Sequence, residues 1–332
     1  MKFFSICHLT RFEYDGPVCE TLMETRMHPR TDTNQRCLSF ALSVSPRCRV
    51  FSYKDHLGNH VHHFDIPRDH TELVIRADSL VSLQRLAPIP DSLDPSAWGE
   101  LDDLVAHGDY LEMLLPSEFT RPSSKLLELA RELKVVRHDD PLSVLRELNT
   151  QLNSYFEYVP RSTRVDSPIE EAIEKRQGVC QDFAHTMIAL VRHLGIPCRY
   201  VSGYLYHAPD EDLRSLPLAT HAWVDAFLPH LGWVGFDPTN NILAREGHVR
   251  TALGRDYADV PPTRGVYTGS STGQLYVAVH VIGHEEAPPQ DQDSAIPDDW
   301  SMHVERALEP TPPALPVLQL QQMEQQQQQQ QQ

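Results

Sequence analysis

The first 85 or so residues alternate apolar and polar positions in short runs rich in aromatic and β-branched side chains. A period of two is typical of strands with one buried face. The turn-prone segment DHLGN (55–59) lies between two of these runs and predicts a hairpin. We therefore expect an N-terminal antiparallel β domain over residues 1–90, arranged as a sandwich. Its strand-like runs are FSICHLTRFEY, RCLSFALSVSP, RVFSYKD, HVHHFDI and TELVIRA.

A Pro-rich stretch at 86–100 separates this region from a segment whose apolar residues recur at helical spacing. SSKLLELARELKVV and PLSVLRELNTQLNSYF both show this spacing. SPIEEAIEKRQG opens with Ser-Pro and acidic residues, which indicates a helix start, and Gly178 is expected to end that helix. We predict three helices here.

The next segment predicts a buried helix followed by strands. The helix begins at Cys180 and carries an apolar stripe through Phe183, Met187 and Val191. The GIP sequence at 195–197 ends it. Together with the preceding helices, these elements predict an α+β domain over residues 91–284, with the Cys180 helix packed on an antiparallel sheet. The strand-like runs are CRYVSGYLY, HAWVDAFL, GWVGFDP and QLYVAVHVI.

Composition changes sharply near the C-terminus. The net charge is −17, and from Glu285 onward there are nine acidic residues against one basic. This part is also Pro-rich and ends in eight glutamines. Such a composition cannot build a core, so residues 285–332 are predicted to be a disordered tail.

Bulk properties exclude several classes of protein. Lys and Arg do not cluster as on a nucleic-acid surface, and no run approaches the roughly 20 apolar residues of a membrane helix. The N-terminus turns polar too soon for a signal peptide. Six cysteines without a CxxC pair favour reduced thiols. We expect a cytoplasmic protein with neither nucleic-acid nor membrane partners, and the oligomeric state stays open.

Cys180 is the first candidate for chemistry. The start of a helix presents unpaired N–H groups and a partial positive charge, which favour a thiolate. The competing interpretation is a buried structural cysteine, the commoner fate of this residue type. Cys198, in the following strand, is expected to be packed. Position alone leaves the two interpretations of Cys180 evenly matched.

His221 and Asp237 are expected to meet across a hairpin. A tight turn at 229–232 would place Trp223 opposite Asp237, with His221 as the diagonal neighbour. Such diagonals are roughly 7 to 8 Å apart at the backbone, within reach of an imidazole–carboxylate hydrogen bond. A nucleophile, a base and a group that orients the base form the general triad arrangement.

These segments resemble a known family. QGVCQDFAHTMIALVRHLGIPCRYVSGY and THAWVDAFLPHLGWVGFDPTNN are similar to the catalytic core of bacterial transglutaminase-like proteins. The order Cys, His, Asp matches that superfamily. HLTRFEYDGPV, MHPRTDTNQ and DHLGNHVHHFDI resemble the β region that precedes this core in one bacterial subfamily. GRDYADVPPTRGVYTG resembles its closing segment.

The resemblance implies a papain-like core with Cys180, His221 and Asp237 as the catalytic triad. It implies no cofactor and a peptide or protein amide as substrate, acylated onto the cysteine as a thioester, with hydrolysis favoured over transfer to an amine. An upstream aromatic residue supports the oxyanion site in related enzymes. Tyr158 is the candidate here, although it could equally be a core residue.

Two other functions compete with this one. The same fold could serve as a non-catalytic scaffold or peptide-binding protein. Loss of a triad residue would indicate such a role, and none of the three is lost. Alternatively, the histidines of the 55–66 hairpin and His70 could hold a metal. No cysteine or carboxylate completes a structural zinc spacing there, so this is the weaker hypothesis.

Overall fold

The computed structural model describes residues 1–32, 34–108, 110–208, 213–215, 219–288 and 305–307. Most of the predicted disordered tail (285–332) lies outside these residues. The strands are β1 (Lys2–Thr25), β2 (Gln35–Ser45), β3 (Val50–Lys54), β4 (His60–Ile66), β5 (His70–Leu83), β6 (Glu157–Tyr158), β7 (Gln177–Gly178), β8 (Cys198–Leu205), β9 (His221–Leu228), β10 (Gly232–Asp237), β11 (Ile242–Ala244), β12 (His248–Gly254), β13 (Thr263–Thr268), β14 (Gly273–His284) and β15 (Glu305–Ala307). The helices are α1 (Ala97–Ala106), α2 (Leu111–Leu114), α3 (Ser124–Glu132), α4 (Pro141–Tyr155), α5 (Ile169–Lys175) and α6 (Cys180–His193), with a 3₁₀ turn at Tyr257–Asp259.

The N-terminal β unit is built around β1, a strand of 24 residues. Its first half pairs antiparallel with β5 and β14, and its second half pairs with β4 and β13. The two resulting sheets share a core in which Met23 and Phe64 pack with Leu73 and Ile75. The predicted antiparallel β structure of this region is confirmed, and a single long strand links its two sheets.

The domain limits differ from the sequence expectation at the C-terminal side. We assigned residues 91–284 to one catalytic unit, but β13 and β14 pair with β1 and therefore complete the N-terminal β unit. The strand nature of 274–282 was evident from its alternation. Its partner β1 was not, because hydrogen bonding between strands more than 250 residues apart leaves no local pattern.

The second unit has the expected helix-on-sheet arrangement. Its five strands are antiparallel in the order β11-β10-β9-β8-β12. Helix α6 packs against β8 and β9, and residues 181–192 are all buried. Phe183 and Met187 of the predicted stripe are fully buried in the main core. Within the described ranges, no helix is both long and apolar enough to span a bilayer.

Strand β12 joins the two units through side-chain amides. The Gln35 amide donates to the Arg250 carbonyl and accepts the Arg250 N–H, both at 2.8 Å. Asn59 makes the same pair of bonds with the backbone of Leu253, also at 2.8 Å. Each amide thus replaces a neighbouring strand, and β12 is held between the units.

The junction between α5 and α6 corrects one helix end. Helix α5 stops at Lys175, and Arg176 adopts the left-handed cap conformation with φ 53°. Gly178 instead pairs with Tyr158 in the short parallel β6–β7 ladder. A Cβ at Gly178 would lie 2.8 Å from the Cβ of Asp182. The glycine is therefore needed for close packing beside the start of α6.

Candidate active site

Cys180 is the first residue of α6 and is partly buried against the main core. The turn that presents it is fixed by Asp182, whose carboxylate accepts the Val179 N–H at 2.8 Å and the Thr163 hydroxyl at 2.5 Å. Asp182 thus acts as the helix-capping acid expected from the sequence. Cys180 therefore lies in the first turn of α6, the end of a helix that carries a partial positive charge.

His221 and Asp237 meet as the hairpin geometry predicted. Phe236 pairs with Val224, so the same register places Asp237 opposite Trp223. The Nε2 atom of His221 lies 2.7 Å from Oδ2 of Asp237. Both side chains are buried, at 3 % and 0 % exposure. A charge-assisted hydrogen bond shielded from water is strong and directional.

The electrostatics of this pair favour a charged imidazole. Burial alone lowers the pKa of His221, but the charge and hydrogen bond of Asp237, with a further contribution from Cys180, raise it to about 10. The other ring nitrogen, Nδ1, is buried and has no hydrogen-bond partner among the described residues. Since Asp237 holds Nε2 and Cys180 lies close enough to affect the ring, Nδ1 is the nitrogen left for the thiol.

Asp237 is held from several directions. Its Oδ1 accepts the backbone N–H groups of Thr239 and Asn240 at 3.1 and 3.2 Å. Its Oδ2 accepts the Asn240 side-chain amide at 2.8 Å in addition to His221. Burial raises the pKa of Asp237, but the charge of His221 and the hydrogen bonds of His221 and His248 outweigh burial and hold the pKa below its usual value.

Sequence reasoning missed two polar neighbours of this pair. His248, at the start of β12, places Nε2 3.1 Å from Oδ2 of Asp237. Asn240 also accepts the backbone N–H groups of Arg214 and Ser215, which ties the 213–215 segment to the triad. Asn240 belongs to the FDPTNN motif, which could have pointed to it. His248 is an isolated histidine at the start of β12, a strand that the sequence analysis did not predict.

Three tyrosines surround the thiol. Burial first, and the neighbouring Cys180 second, raise the pKa of Tyr257 to about 12 and that of Tyr200 well above its usual value. Tyr158 lies in β6 beside Gly178, and its ring packs against the main core. It therefore stands near the nucleophile as expected, and its part in an oxyanion site stays a prediction.

A surface cavity of about 620 Å³ borders the chain that leads into Cys180. Tyr158 and Gln177 line one part of it, and Arg214 lines another. Arg214 donates from its guanidinium to the Asn153 carbonyl at 2.7 Å. The Arg214 backbone is also bonded to Asn240, but Cys180, His221 and Asp237 do not line this cavity.

Two histidines of the N-terminal hairpin stack with a third histidine, and His70 lies apart from them. The rings of His60 and His62 stack with His28, at centroid distances of 4.1 and 5.9 Å. Burial lowers the pKa of both His60 and His62 to about 4. His70 instead lies 3.2 Å from the Thr21 hydroxyl. This region forms a partly buried stack of neutral rings.

Among the described residues, one group of metal-type donors, His221, Asp237 and His248, has ligand atoms all within 4.8 Å of one another. A metal on Nε2 of His248 would leave the ring proton on Nδ1. That nitrogen already accepts the Arg245 N–H at 3.3 Å, and two donors would then face each other. The donor pattern therefore fits hydrogen-bonded imidazoles better than metal ligands.

Comparison with protein families matches two parts of the chain. Residues 4–82 match the bacterial transglutaminase-like N-terminal region, and residues 128–238 match the transglutaminase-like superfamily. The second match contains Cys180, His221 and Asp237, and the first covers most of the N-terminal β unit.

Relatives extend the match over nearly the whole chain. An uncharacterised protein of Mycobacterium leprae is 31 % identical over 83 % of this chain and 97 % of its own length. One from Mycobacterium tuberculosis is 32 % identical over 85 % and 93 %. A protein-glutamine gamma-glutamyltransferase of Pseudomonas aeruginosa is 30 % identical over 42 % of this chain and 23 % of its own.

The fold is also found in a crystal structure. A Cytophaga hutchinsonii protein described as a candidate cysteine protease superposes with a TM-score of 0.64 at 22 % identity. The match covers 86 % of this chain and 93 % of that one. At this identity the likeness concerns the fold alone.

Proposed function

The chain belongs to the transglutaminase-like superfamily, and from that premise we propose a cysteine-dependent enzyme that acts on amide bonds of peptides or proteins. Cys180 is the nucleophile, His221 the acid–base group and Asp237 the residue that orients His221. The observation that carries this proposal is the buried His221 ring, bonded through Nε2 to Asp237, whose Nδ1 has no hydrogen-bond partner in the described part of the chain and is left for Cys180.

The first half of the reaction follows from these positions. A thiolate at Cys180, stabilised by the imidazolium of His221, attacks the amide carbon. The carbonyl oxygen takes the negative charge, and in this proposal the N–H groups at the start of α6 stabilise it. As the C–N bond breaks, His221 gives its proton to the leaving amine. A thioester on Cys180 and a neutral imidazole remain.

The second half regenerates the thiol. Neutral His221 takes a proton from the acceptor, which attacks the thioester and releases Cys180. We favour water as the acceptor, giving a protease or amidase. Transfer to an amine is the second candidate, supported by the match to the Pseudomonas glutamyltransferase. The triad serves either acceptor, so access to the thioester decides between them.

The surroundings of the triad agree with a peptide substrate. The cavity lined by Gln177 and Arg214 has polar and aromatic walls and borders the chain three residues before Cys180, and we propose that part of a peptide binds there. All six cysteines are free, as a thiol enzyme in a reducing compartment requires, and a cytoplasmic location is part of the proposal. Cell fractionation with an antibody to the full chain tests that location.

Alkylation with iodoacetamide across a pH series, with peptide mapping of each cysteine, tests the nucleophile. We expect Cys180 to react well below pH 8 and faster than the partly exposed Cys19. His221→Ala should slow Cys180 and leave Cys19 unchanged. Amide-bond cleavage in a peptide library should be lost in Cys180→Ala and kept in Cys198→Ala.

Equal labelling of Cys180 and Cys19 at every pH would contradict an activated nucleophile. The same fold would then be better explained as a peptide-binding protein. If the thiol is activated but peptides release no product with water, addition of a primary amine and mass analysis of the products separates transferase from hydrolase.

A further inference from the structure

His248 lies next to the triad without touching the nucleophile. It is the first residue of β12, is 3 % exposed and places Nε2 3.1 Å from Oδ2 of Asp237. Its ring contacts the edge of Trp223 at a centroid distance of 5.0 Å and lies 6.0 Å from the ring of His221. Two imidazoles therefore share one carboxylate oxygen.

The hydrogen bonds fix which proton His248 carries. Its Nδ1 accepts the backbone N–H of Arg245 at 3.3 Å, so the ring proton resides on Nε2 and is donated to Asp237. Burial is the largest effect on His248 and lowers its pKa. The hydrogen bond to Asp237 raises this pKa, and the charges of His221 and Arg250 lower it further. His207 is the other histidine close to this group. His248 therefore stays neutral while His221 is charged.

The hydrogen bond from His248 helps to hold the Asp237 carboxylate in place. Its Oδ2 receives donors from His221, His248 and Asn240, which approach one atom from three directions. A carboxylate held in this way cannot rotate without losing a bond in a water-free site. The His248 donor also helps to keep Asp237 ionised, since a hydrogen bond to a carboxylate favours its charged form.

The strand that carries His248 is itself fixed. His248 pairs with Leu205 at the edge of the sheet, and two residues later the amide of Gln35 holds the Arg250 backbone. The N-terminal β unit thus limits how far β12 can move. Because β12 is hydrogen-bonded to β8 on one edge and to the Gln35 amide on the other, His248 is a rigid donor.

We propose that His248 is a positioning residue that acts through Asp237: its neutral ring donates a hydrogen bond to the carboxylate, which stays ionised and aligned with His221. This role rests on the proposed function. In this role His248 acts only through Asp237, and it completes a four-residue arrangement with Cys180, His221 and Asp237.

The test compares His248→Phe, which keeps a ring but removes the donor, with His248→Gln, whose terminal amide can still donate near the Nε2 position. One readout is the far-downfield proton resonance of the His221 ring hydrogen bonded to Asp237. The second is the pH dependence of Cys180 alkylation. His63→Phe, on the exposed side of the hairpin, is the matched control.

We expect His248→Phe to broaden or abolish the downfield signal and to slow alkylation about 10- to 100-fold near pH 6, with the acid limb of the profile moved to higher pH. His248→Gln should retain the signal and recover most of the rate, and His63→Phe should match the wild type. A folded His248→Phe with an unchanged signal and profile would overturn the proposal.

If His248→Phe does not fold, His248→Asn decides the matter. Its shorter amide falls short of Asp237, so it should lose the signal that His248→Gln keeps. Equal loss in both would mean a packing role and overturn the proposal. The downfield signal needs no reactive thiol, so a Cys180 that fails to react would refute the proposed function while this readout still tests His248.

Discussion

His221 shows how a single residue is tuned by two opposing effects. Removal from water disfavours its charge, and the buried Asp237 restores it, so that the pKa ends at about 10. The imidazolium therefore exists throughout the neutral range, and under the proposed function it stabilises the thiolate of Cys180. A lone histidine at this position would be neutral and of little use to the nucleophile.

Asp237→Asn should lower the pKa of His221, because it removes the largest effect that opposes burial. Heteronuclear NMR of the ring nitrogens measures this shift directly. Cys180 alkylation near pH 7 should slow by roughly 10- to 100-fold, because an ordinary thiol is only a few per cent thiolate at that pH. Asp225→Asn is the matched control, since Asp225 is buried in the same sheet but pairs with Arg199.

Asp237→Asn should also change how the free energy of unfolding depends on pH. A raised pKa in the folded state stabilises the protein fully below the unfolded value of 6.5 and loses this effect as pH rises through about 10. The difference in unfolding free energy between wild type and Asp237→Asn should therefore shrink from pH 6.5 to 10. A constant difference would contradict the assigned charge of His221.

At the scale of elements, the start of α6 depends on how tightly β7 approaches it. Gly178 pairs with Tyr158 on one side and touches the capping Asp182 on the other. The position of Cys180 is thus set by a backbone contact that tolerates no side chain. The helix could form with another residue at 178, but its first turn would shift.

Gly178→Ala should destabilise the fold by about 1–3 kcal/mol, because the new Cβ would lie 2.8 Å from the Cβ and 3.0 Å from Oδ2 of Asp182. Denaturant unfolding measures this, and Cys180 alkylation should slow with it. Gly99→Ala is the control. It lies in α1 with nothing within 4 Å and should raise stability by about 0.5–1 kcal/mol. Equal stability of the two variants would argue against a rigid junction.

At the scale of the whole molecule, the N-terminal β unit and the five-stranded sheet meet along β12. Gln35 is 1 % exposed and bonds both backbone groups of Arg250. Arg250 in turn pairs with Asp32 at 2.8 Å. These contacts connect the first unit to the strand that begins with His248, so the β unit supports the site without contributing a member of the triad.

Gln35→Ala should lower the free energy of unfolding by about 1–3 kcal/mol, because it leaves the Arg250 N–H buried without its partner. Hydrogen exchange should show faster exchange in β12 than in β9. Gln84→Ala, at an exposed position beyond β5, should change neither quantity. Unchanged hydrogen exchange in β12 would show that the strand does not depend on the two hydrogen bonds from the Gln35 amide.

Much of this protein was determined by local sequence. Alternation predicted the antiparallel strands, helical spacing predicted α4 and α6, and the hairpin register brought His221 to Asp237. These features depend on side-chain period and turn length, which a sequence displays directly. The Cys180 environment was accessible for the same reason, since the start of a helix has a recognisable pattern.

Only the tertiary structure decided the rest. The return of β13 and β14 to β1 and the clamp of Gln35 on β12 join residues more than 200 positions apart. The alternation of apolar and polar residues does not reveal such pairings, because a strand shows the same alternation whichever strand it pairs with. His248 was missed for this reason: its role comes from Asp237, a neighbour that exists only once the two strands that carry them share a sheet.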